Sequence, residues 1–369
     1  MFNNKKLNFF LILIKILEIL ENMINYEIYS TILQYIPNDN LLICNKKLLT
    51  SKLVTAINLF CCNQLKNKFI VSLSGGVDSM VLIFIIKSLG YTVIGAHLNY
   101  NNRIETTIEE QFLIDFCMYN DIKLHIERVS HVRRGEIKRD NYEKITKDIR
   151  LNFYKSVMEI EKSDSILLAH HKDDIIENIF ANLSRGRNIL DLAVIREKTI
   201  INNITVYRPM IQFYKSSIYE FAEEYQVPYF KDTTPDWSVR GKYRNLILPQ
   251  LETTFSNVKQ NLLNINNQSS DWSNIIHKKI IEPFLDTITI SDNNIIIFSV
   301  HELLDYPVTF WQTIFMFIFH KYSKKCPSHK SIENFIFIIN NKNNCKITLS
   351  IDTNTYLNNY IIKIKFLNI

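Results

Sequence analysis

The sequence predicts an α/β protein: a doubly wound parallel sheet followed by a smaller helical and α+β C-terminal domain. Three observations predict it. Between Lys68 and Leu183, short β-branched apolar runs alternate with helix-length segments, the pattern of parallel strands joined by crossover helices. The chain has only seven glycines, and its one adjacent pair, Gly75-Gly76, separates the first strand from the first helix of that series. Beyond about residue 251 the alternation gives way to long helices and then a late strand pair with Asn-rich turns. The boundaries that follow are an N-terminal helical extension over 1–63, the α/β domain over 64–251 and the C-terminal domain over 252–369.

The elements can be justified in order. Residues 1–63 read as helical and apolar, and Leu7–Met23 fits an amphipathic stripe around Lys15, Glu18 and Glu21. That helix either packs or docks a partner; it carries no chemistry, and Met23 is an alternative start. Phe69–Leu73 reads as a buried parallel strand. Met80–Leu89 is an apolar run of helical length closed by Gly90. Strands follow at Tyr91–Leu98, Ile122–Val129 and Asp164–Ala169, with helices at Thr107–Tyr119, Glu143–Ile160 and Asp173–Leu183. In the C-terminal part, helices are expected at Val258–Ile281, Tyr306–Tyr322 and Ser328–Asn340. A strand pair, Cys345–Ser350 with Tyr360–Phe366, then either binds RNA or caps the fold.

Composition narrows the class. At 47% hydrophobic and 12% aromatic, the 369 residues can build packed cores. The net charge of +6 leans toward a polyanionic partner. The longest early apolar run, Phe9–Ile14, is far shorter than the roughly 20 residues a membrane span needs, so no membrane association is expected. Six cysteines show no C-x-x-C and no zinc spacing, as expected for reduced, incidental thiols.

Chemistry concentrates where strands end, as it does in open parallel sheets. Ser74-Gly75-Gly76-Val77-Asp78-Ser79 places a glycine turn and a helix N-terminus after the first strand. Free N–H groups and the helix dipole there favour an anion, the two serines add donors, and Asp78 suits a Mg²⁺ ion that bridges phosphates. The loop has neither the P-loop nor the G-x-G-x-x-G spacing. At the second strand's tip, His97 and Asn99 share a face, with Arg103 close behind. After the fourth strand, Ala169-His170-His171-Lys172-Asp173-Asp174-Ile-Ile-Glu177 sets Asp174 and Glu177 on one helical face. Like charges at that spacing call for a bound cation, either a metal or a substrate ammonium, while the histidines are placed to meet a phosphate. Arg185-Gly186-Arg187 combines a helix cap with a phosphate contact. Arg128–Arg150 carries eight basic and four acidic side chains and reads as a solvated face or a nucleic-acid loop. Arg240, Lys242 and Arg244, following Asp232 and Asp236, read as a solvated basic turn or as phosphate-backbone contacts.

Taken in order, these segments, with Tyr207-Arg208-Pro209-Met210 and Leu183-Ser184-Arg185-Gly186, resemble the tRNA(Ile)-lysidine synthetases of the PP-loop N-type ATP pyrophosphatase superfamily. The resemblance covers residues 64–251 well and the tail more loosely. It implies an adenine-nucleotide-α-hydrolase-like fold and a ligase forming a carbon–nitrogen bond. ATP with Mg²⁺ adenylates the C2 carbonyl of the wobble cytidine in a CAU-anticodon tRNA, and L-lysine then displaces AMP. On this resemblance Ser74, Gly75, Gly76, Val77, Asp78 and Ser79 hold the phosphates, and Asp78 holds Mg²⁺. Asp174 and Glu177 bind the lysine ammonium groups, and His171 or His97 stabilises the α-phosphate or manages protons. Arg103 belongs to the tRNA-facing set, while Arg185, Arg208, Arg240 and Arg244 contact tRNA or the transferring phosphate. The sequence departs from the family pattern at Tyr100, Asn101, Thr146-Lys147, the Arg240–Arg244 run and Asn178. The alternatives are a tRNA thiolation enzyme of the same superfamily, which would need catalytic cysteines, and a weakened RNA-binding relative. A cytoplasmic location is expected, with an organelle as the other option, and a homodimer is left open.

Overall fold

The computed structural model describes residues 48, 50–101, 105–129, 139–230, 238–291 and 294–367. The expected Leu7–Met23 helix, Arg103, Arg133, Arg134, Lys138, Asp232 and Asp236 lie outside the described residues. The described residues fall into two units, one reaching Ala181 and including Val194–Leu263, the other comprising Asn182–Ala193 and the chain from Asn264 onward.

The first unit is built on a six-stranded sheet of order β3-β2-β1-β4-β6-β5. Its strands are β1 (Lys68–Ser72), β2 (Thr92–Asn99), β3 (Lys123–Arg128), β4 (Ser165–Leu167), β5 (Lys198–Ile201) and β6 (Ile204–Tyr207). All neighbours pair in parallel except β5, which lies antiparallel on β6 at the edge. The helices are α1 (Lys52–Asn63), α2 (Val77–Ser88), α3 (Glu105–Tyr119), α4 (Arg139–Ile160), α5 (Lys172–Ser184) and α6 (Lys215–Glu224).

Both faces of the central strand are apolar because both are covered. Phe69, Val71 and Leu73 join the core that holds α1, α2, α3 and α6. Ile70 joins the opposite core with Ile94, Ile166 and, from α4, Leu151, Tyr154 and Val157. That is why β1 reads as a continuous apolar run without alternation. Helix α2 is buried from Ser79 to Ile86. It begins three residues before the apolar run that marks it in sequence, with Gly76 as its N-cap. In its first turn Val77 and Met80 join the core, while Asp78 and Ser79 serve the loop. The order of the sheet reverses between β1 and β4, and a crevice outside the carboxyl ends of two such strands is where ligands sit in folds of this type.

Two strands here, β5 and β6, were not expected from sequence. Two further differences concern the C-terminal helices. Short helices α7 (Val239–Lys242) and α8 (Leu248–Thr254) are joined by a π-helical turn, Tyr243–Ile247. Helices α9 (Val258–Ile276) and α10 (Glu282–Asp286) are joined by a second one, His277–Ile281. Each π turn comes just before a proline, Pro249 or Pro283. Proline has no N–H to donate back one turn, so the ladder shifts its register there rather than breaking.

The second unit corrects the expectation of a lone strand pair. It holds a five-stranded antiparallel sheet of order β7-β8-β11-β10-β9. The strands are β7 (Thr289–Ile290), β8 (Ile295–Ser299), β9 (Asn344–Ile347), β10 (Thr353–Asn358) and β11 (Ile361–Phe366). The two segments expected to pair with each other are separated by β10. Helices α11 (Val308–Lys321) and α12 (His329–Asn341) supply Trp311, Phe315, Phe319 and Phe335 to the core, against Phe298, Ile362, Ile364 and Phe366. The alternate residues of the same strands form an open face. Lys346 lies beside Tyr356, Tyr356 beside Lys363 and Lys363 beside Ile297, with Lys365 beside Asn354. None of the strand positions on that face is acidic.

Candidate active site

The loop after β1 is built by its own serines. Ser79 Oγ donates to the Gly76 carbonyl (3.0 Å), and the Ser74 N–H donates back to Ser79 Oγ (3.2 Å). The two hydroxyls lie 3.1 Å apart. Gly75 sits at φ +86°, a left-handed conformation that a side chain would strain. The Gly76 N–H points at Ser74 Oγ (3.4 Å). The turn therefore closes on itself while the first N–H groups of α2 remain without partners inside the helix. Such an end favours an anion.

Asp78 follows in the first turn of α2, beside the buried imidazole of His171 and the Lys215 ammonium. His171 Nε2 is 3.5 Å from Asp78 Oδ1, and Lys215 Nζ is 3.5 Å from Asp78 Oδ2. Oδ1 is a buried oxygen with no hydrogen-bond partner. Burial raises the Asp78 pKa, but His171 and Lys215 outweigh it and hold the carboxyl below its ordinary value. His171 is only 1% exposed and sits among three carboxylates, with Asp174 at 3.4 Å and Asp173 at 3.6 Å beside Asp78. Burial disfavours its charge, yet Asp173, Asp78 and Asp174 lift its pKa to about 9. It is an imidazolium at neutral pH.

His170 behaves in the opposite way. Burial comes first, and Arg208, Arg240 and His171 add to it, taking its pKa down to about 4. Arg208 Nε donates to His170 Nδ1 (2.8 Å), so the other ring nitrogen, Nε2, carries the hydrogen. Arg208 itself is 4% exposed, its guanidinium also bonded to the Arg196 carbonyl and Thr199 Oγ1. It is turned inward to orient His170, away from any surface an RNA could reach.

Asp174 and Glu177 do share a face of α5, and the structure answers their charge with two arginines. Arg240 Nε donates to Glu177 Oε1 (2.5 Å) and Arg244 Nε to Glu177 Oε2 (2.8 Å). Both guanidinium groups also reach Asp174 Oδ1, at 3.4 and 3.5 Å. Asp173 turns the other way, and its Oδ2 accepts the Lys215 N–H (2.8 Å) at the start of α6.

At the tip of β2, His97 is 5% exposed and bonds through Nδ1 to the Leu73 carbonyl (2.8 Å), just before the loop. Burial lowers its pKa, which leaves it neutral. Asn99 is likewise turned inward, donating to Glu110 (2.7 Å), which Arg128 pairs. The Asn99 side chain accepts the Asn101 N–H (2.8 Å), and Asn101 takes φ +47°. Asparagine tolerates that conformation better than most residues.

The cleft that unites these groups has about 380 Å³ of space. Ser74, Gly76, Val77, Asp78, Ser79, Asp174, Arg240 and Arg244 line it, as do His170, Lys215, Arg150 and Phe230. Of the last four, His170 is read from sequence with His171 as placed to meet a phosphate and Arg150 as the end of the basic stretch, whereas Lys215 and Phe230 are not singled out. His170 had a signal, since it adjoins His171 at a strand tip; Lys215 had none, because it follows an unremarkable turn. His97, His171 and Arg208 stand behind the lining. Arg185 lies in the exposed turn after α5, where Gly186 takes φ +63°, within the second unit. Among the described residues, no cysteine lines the cleft and no helix is long and apolar enough to cross a membrane. Cys61 and Cys117 are buried thiols whose pKa burial pushes up to about 12.

The chain is 30% identical over 219 residues to a tRNA(Ile)-lysidine synthase of Bacteroides thetaiotaomicron, covering 58% of this chain and 50% of that protein. It is 29% identical over 222 residues to the tRNA(Ile)-lysidine synthase of Enterococcus faecalis, covering 58% and 47%. The chain thus spans about half the length of the curated relatives it matches. Among solved structures it is similar to the U34-tRNA thiolase NcsA of Methanococcus maripaludis, at 18% identity and a TM-score of 0.49, over 62% of this chain and 81% of that one. The PP-loop domain pattern matches residues 49–251, the same stretch that folds into the parallel sheet, its glycine loop and the acidic helix, and the chain belongs to the PP-loop domain family.

Proposed function

We propose that the protein is a tRNA(Ile)-lysidine synthase, using ATP to adenylate the wobble cytidine of a CAU-anticodon tRNA and then joining lysine to it. The observation that carries this reading is the meeting, in one cleft, of an anion-receptive glycine loop with a carboxylate face at Asp174. An ATP-binding loop alone would suit many adenylating enzymes. Asp174 in that lining, with Glu177 beside it on α5, suits a cationic co-substrate, and the relatives' name supplies which one.

In this reading the Ser74–Ser79 loop and Lys215 hold the β- and γ-phosphates. The cytidine C2 oxygen attacks the α-phosphorus and pyrophosphate leaves; the lysine ε-amine then forms the C2–N bond and AMP leaves. His170 presents Nε2–H as a donor toward phosphate oxygen, and neutral His97 supports the loop from behind through the Leu73 carbonyl. Asp78 fits a Mg²⁺ ion, since its Oδ1 is a buried oxygen with no hydrogen-bond partner, and one carboxylate plus phosphates is an ordinary ligand set for that ion. Bound there, the metal would neutralise phosphate charge. Asp174 and Glu177 would bind lysine ammonium groups, which then share or replace the Arg240 and Arg244 guanidinium groups. The displaced arginines become available for a phosphate. On the second unit, the open face with Lys346, Tyr356, Lys363 and Lys365 suits an RNA backbone.

The test is incorporation of radiolabelled lysine into a CAU-anticodon transcript with ATP and Mg²⁺. Asp78→Ala should lower it at least about 100-fold, and changing the wobble cytidine should abolish it. ATP consumed on tRNA with a sulfur donor, but no lysine incorporated, would replace this reading with thiolation.

A further inference from the structure

We propose that Phe230 is a positioning residue that keeps the Gly75–Gly76 peptide turned toward its anion. The inference rests on the reading of Ser74–Ser79 as the phosphate loop. Phe230 donates its backbone N–H to the Gly75 carbonyl (2.9 Å), and Gly76 and Phe230 form an isolated parallel bridge. The carbonyl and the following N–H of a trans peptide point in opposite directions. Holding the Gly75 carbonyl toward Phe230 therefore aims the Gly76 N–H the other way, at Ser74 Oγ on the inner side of the loop.

The restraint is needed because of the residues it acts on. Two consecutive glycines rotate with little steric resistance. If this peptide flipped, the Gly76 N–H would leave Ser74 Oγ and a carbonyl oxygen would stand on the inner side of the loop, where it would repel an anion. The loop's own serines bond the Gly76 carbonyl, the Ser74 N–H and the Gly76 N–H. The carbonyl of Gly75 is held from outside, by Phe230.

The Phe230 side chain fixes its own backbone. It is 8% exposed, and its ring lies edge-on to Phe112 with centroids 5.0 Å apart. The ring edge approaches to 3.7 Å from where a Cβ on Gly75 would stand. Phe230 has no group for chemistry, yet it lines the cleft. Its role is to act through the loop.

The experiment measures binding of inorganic pyrophosphate and of AMP, separately, to the full chain by calorimetry. Phe230→Pro deletes the N–H; Phe230→Leu keeps it and most of the packing. F230P should weaken pyrophosphate binding about 10-fold, a loss in keeping with one hydrogen bond to a loop that grips a charged ligand. AMP affinity should change less than about 2-fold, and F230L should stay within about 3-fold of wild type for both. Wild-type pyrophosphate affinity in F230P, an equal loss for AMP, or a loss in F230L matching that in F230P would each overturn the proposal. If F230P fails to fold, hydrogen exchange on the wild type decides. A Phe230 amide that is protected, and more so with pyrophosphate, supports the latch; one that exchanges as an open loop does, with pyrophosphate bound, overturns it. A wild-type chain that binds no pyrophosphate would instead overturn the reading of the loop itself.

Discussion

His171 carries its charge because three carboxylates surround it, and that charge links folding to pH. Its folded pKa of about 9 lies above the ordinary value of 6.5. The stabilisation is therefore fully present below about pH 6.5 and is lost as the pH rises through 9. The shift corresponds to something on the order of 3 kcal/mol. Melting of the free protein should fall between pH 7 and 10, and His171→Asn should flatten that slope; a wild-type curve already flat over this range would contradict the ion cluster. Asp174 and Glu177 make a second test. Asp174→Asn or Glu177→Gln should raise the KM for lysine about 10- to 100-fold, in line with losing a charge-assisted contact. ATP–pyrophosphate exchange should survive in both variants. Exchange lost in step with lysine use would place these carboxylates in the adenylation step.

At the scale of elements, α2 and α5 present Asp78 and Ser79, and Asp173 and Asp174, in their first turns at the carboxyl ends of neighbouring strands. The π turn Tyr243–Ile247 has a comparable effect. It contains Arg244, with Arg240 just before it and Pro249 just beyond it, and both arginines reach Glu177. In the second unit, the sheet keeps one face on the Trp311 core and leaves the other basic. If that face holds RNA, replacing Lys346, Lys363 and Lys365 together by Ala should weaken tRNA binding. The log–log salt slope should become shallower by about 2 to 3, because each phosphate contact contributes about 0.7 to 0.9. An unchanged slope would leave the face with a capping role. This sheet was only partly legible in sequence. The 344–347 and 361–366 segments could be read, but Thr353–Asn358 alternates Thr and Asn with little apolar signal. Asparagine is disfavoured in strands, so only pairing on both sides makes that segment one.

For the whole molecule, each unit carries its own apolar core. Calorimetry should show two transitions. ATP at about 100 times its Kd should raise one of them by roughly 5 to 10 °C, the effect of about 2.7 kcal/mol on a unit of this size. Trp311→Ala should lower the other, by about 3 to 5 kcal/mol for a fully buried ring, and leave the ATP-sensitive one in place. A single transition moved by both changes would show that the cores melt together.

The parallel sheet, the glycine turn after its first strand, and the shared face of Asp174 and Glu177 can all be read along the chain. These are local properties: alternation of apolar runs, the backbone freedom of two glycines, and the geometry of positions three apart on a helix. Folding in three dimensions sets which group answers which. It paired Glu177 with arginines 63 and 67 residues away, brought Lys215 to Asp78, and turned Arg208 inward to His170. It also made His171 a buried cation while its neighbour His170 stays neutral in the cleft lining. Charge state and exposure depend on which distant groups share a low-dielectric space, and no period or spacing along the chain encodes that.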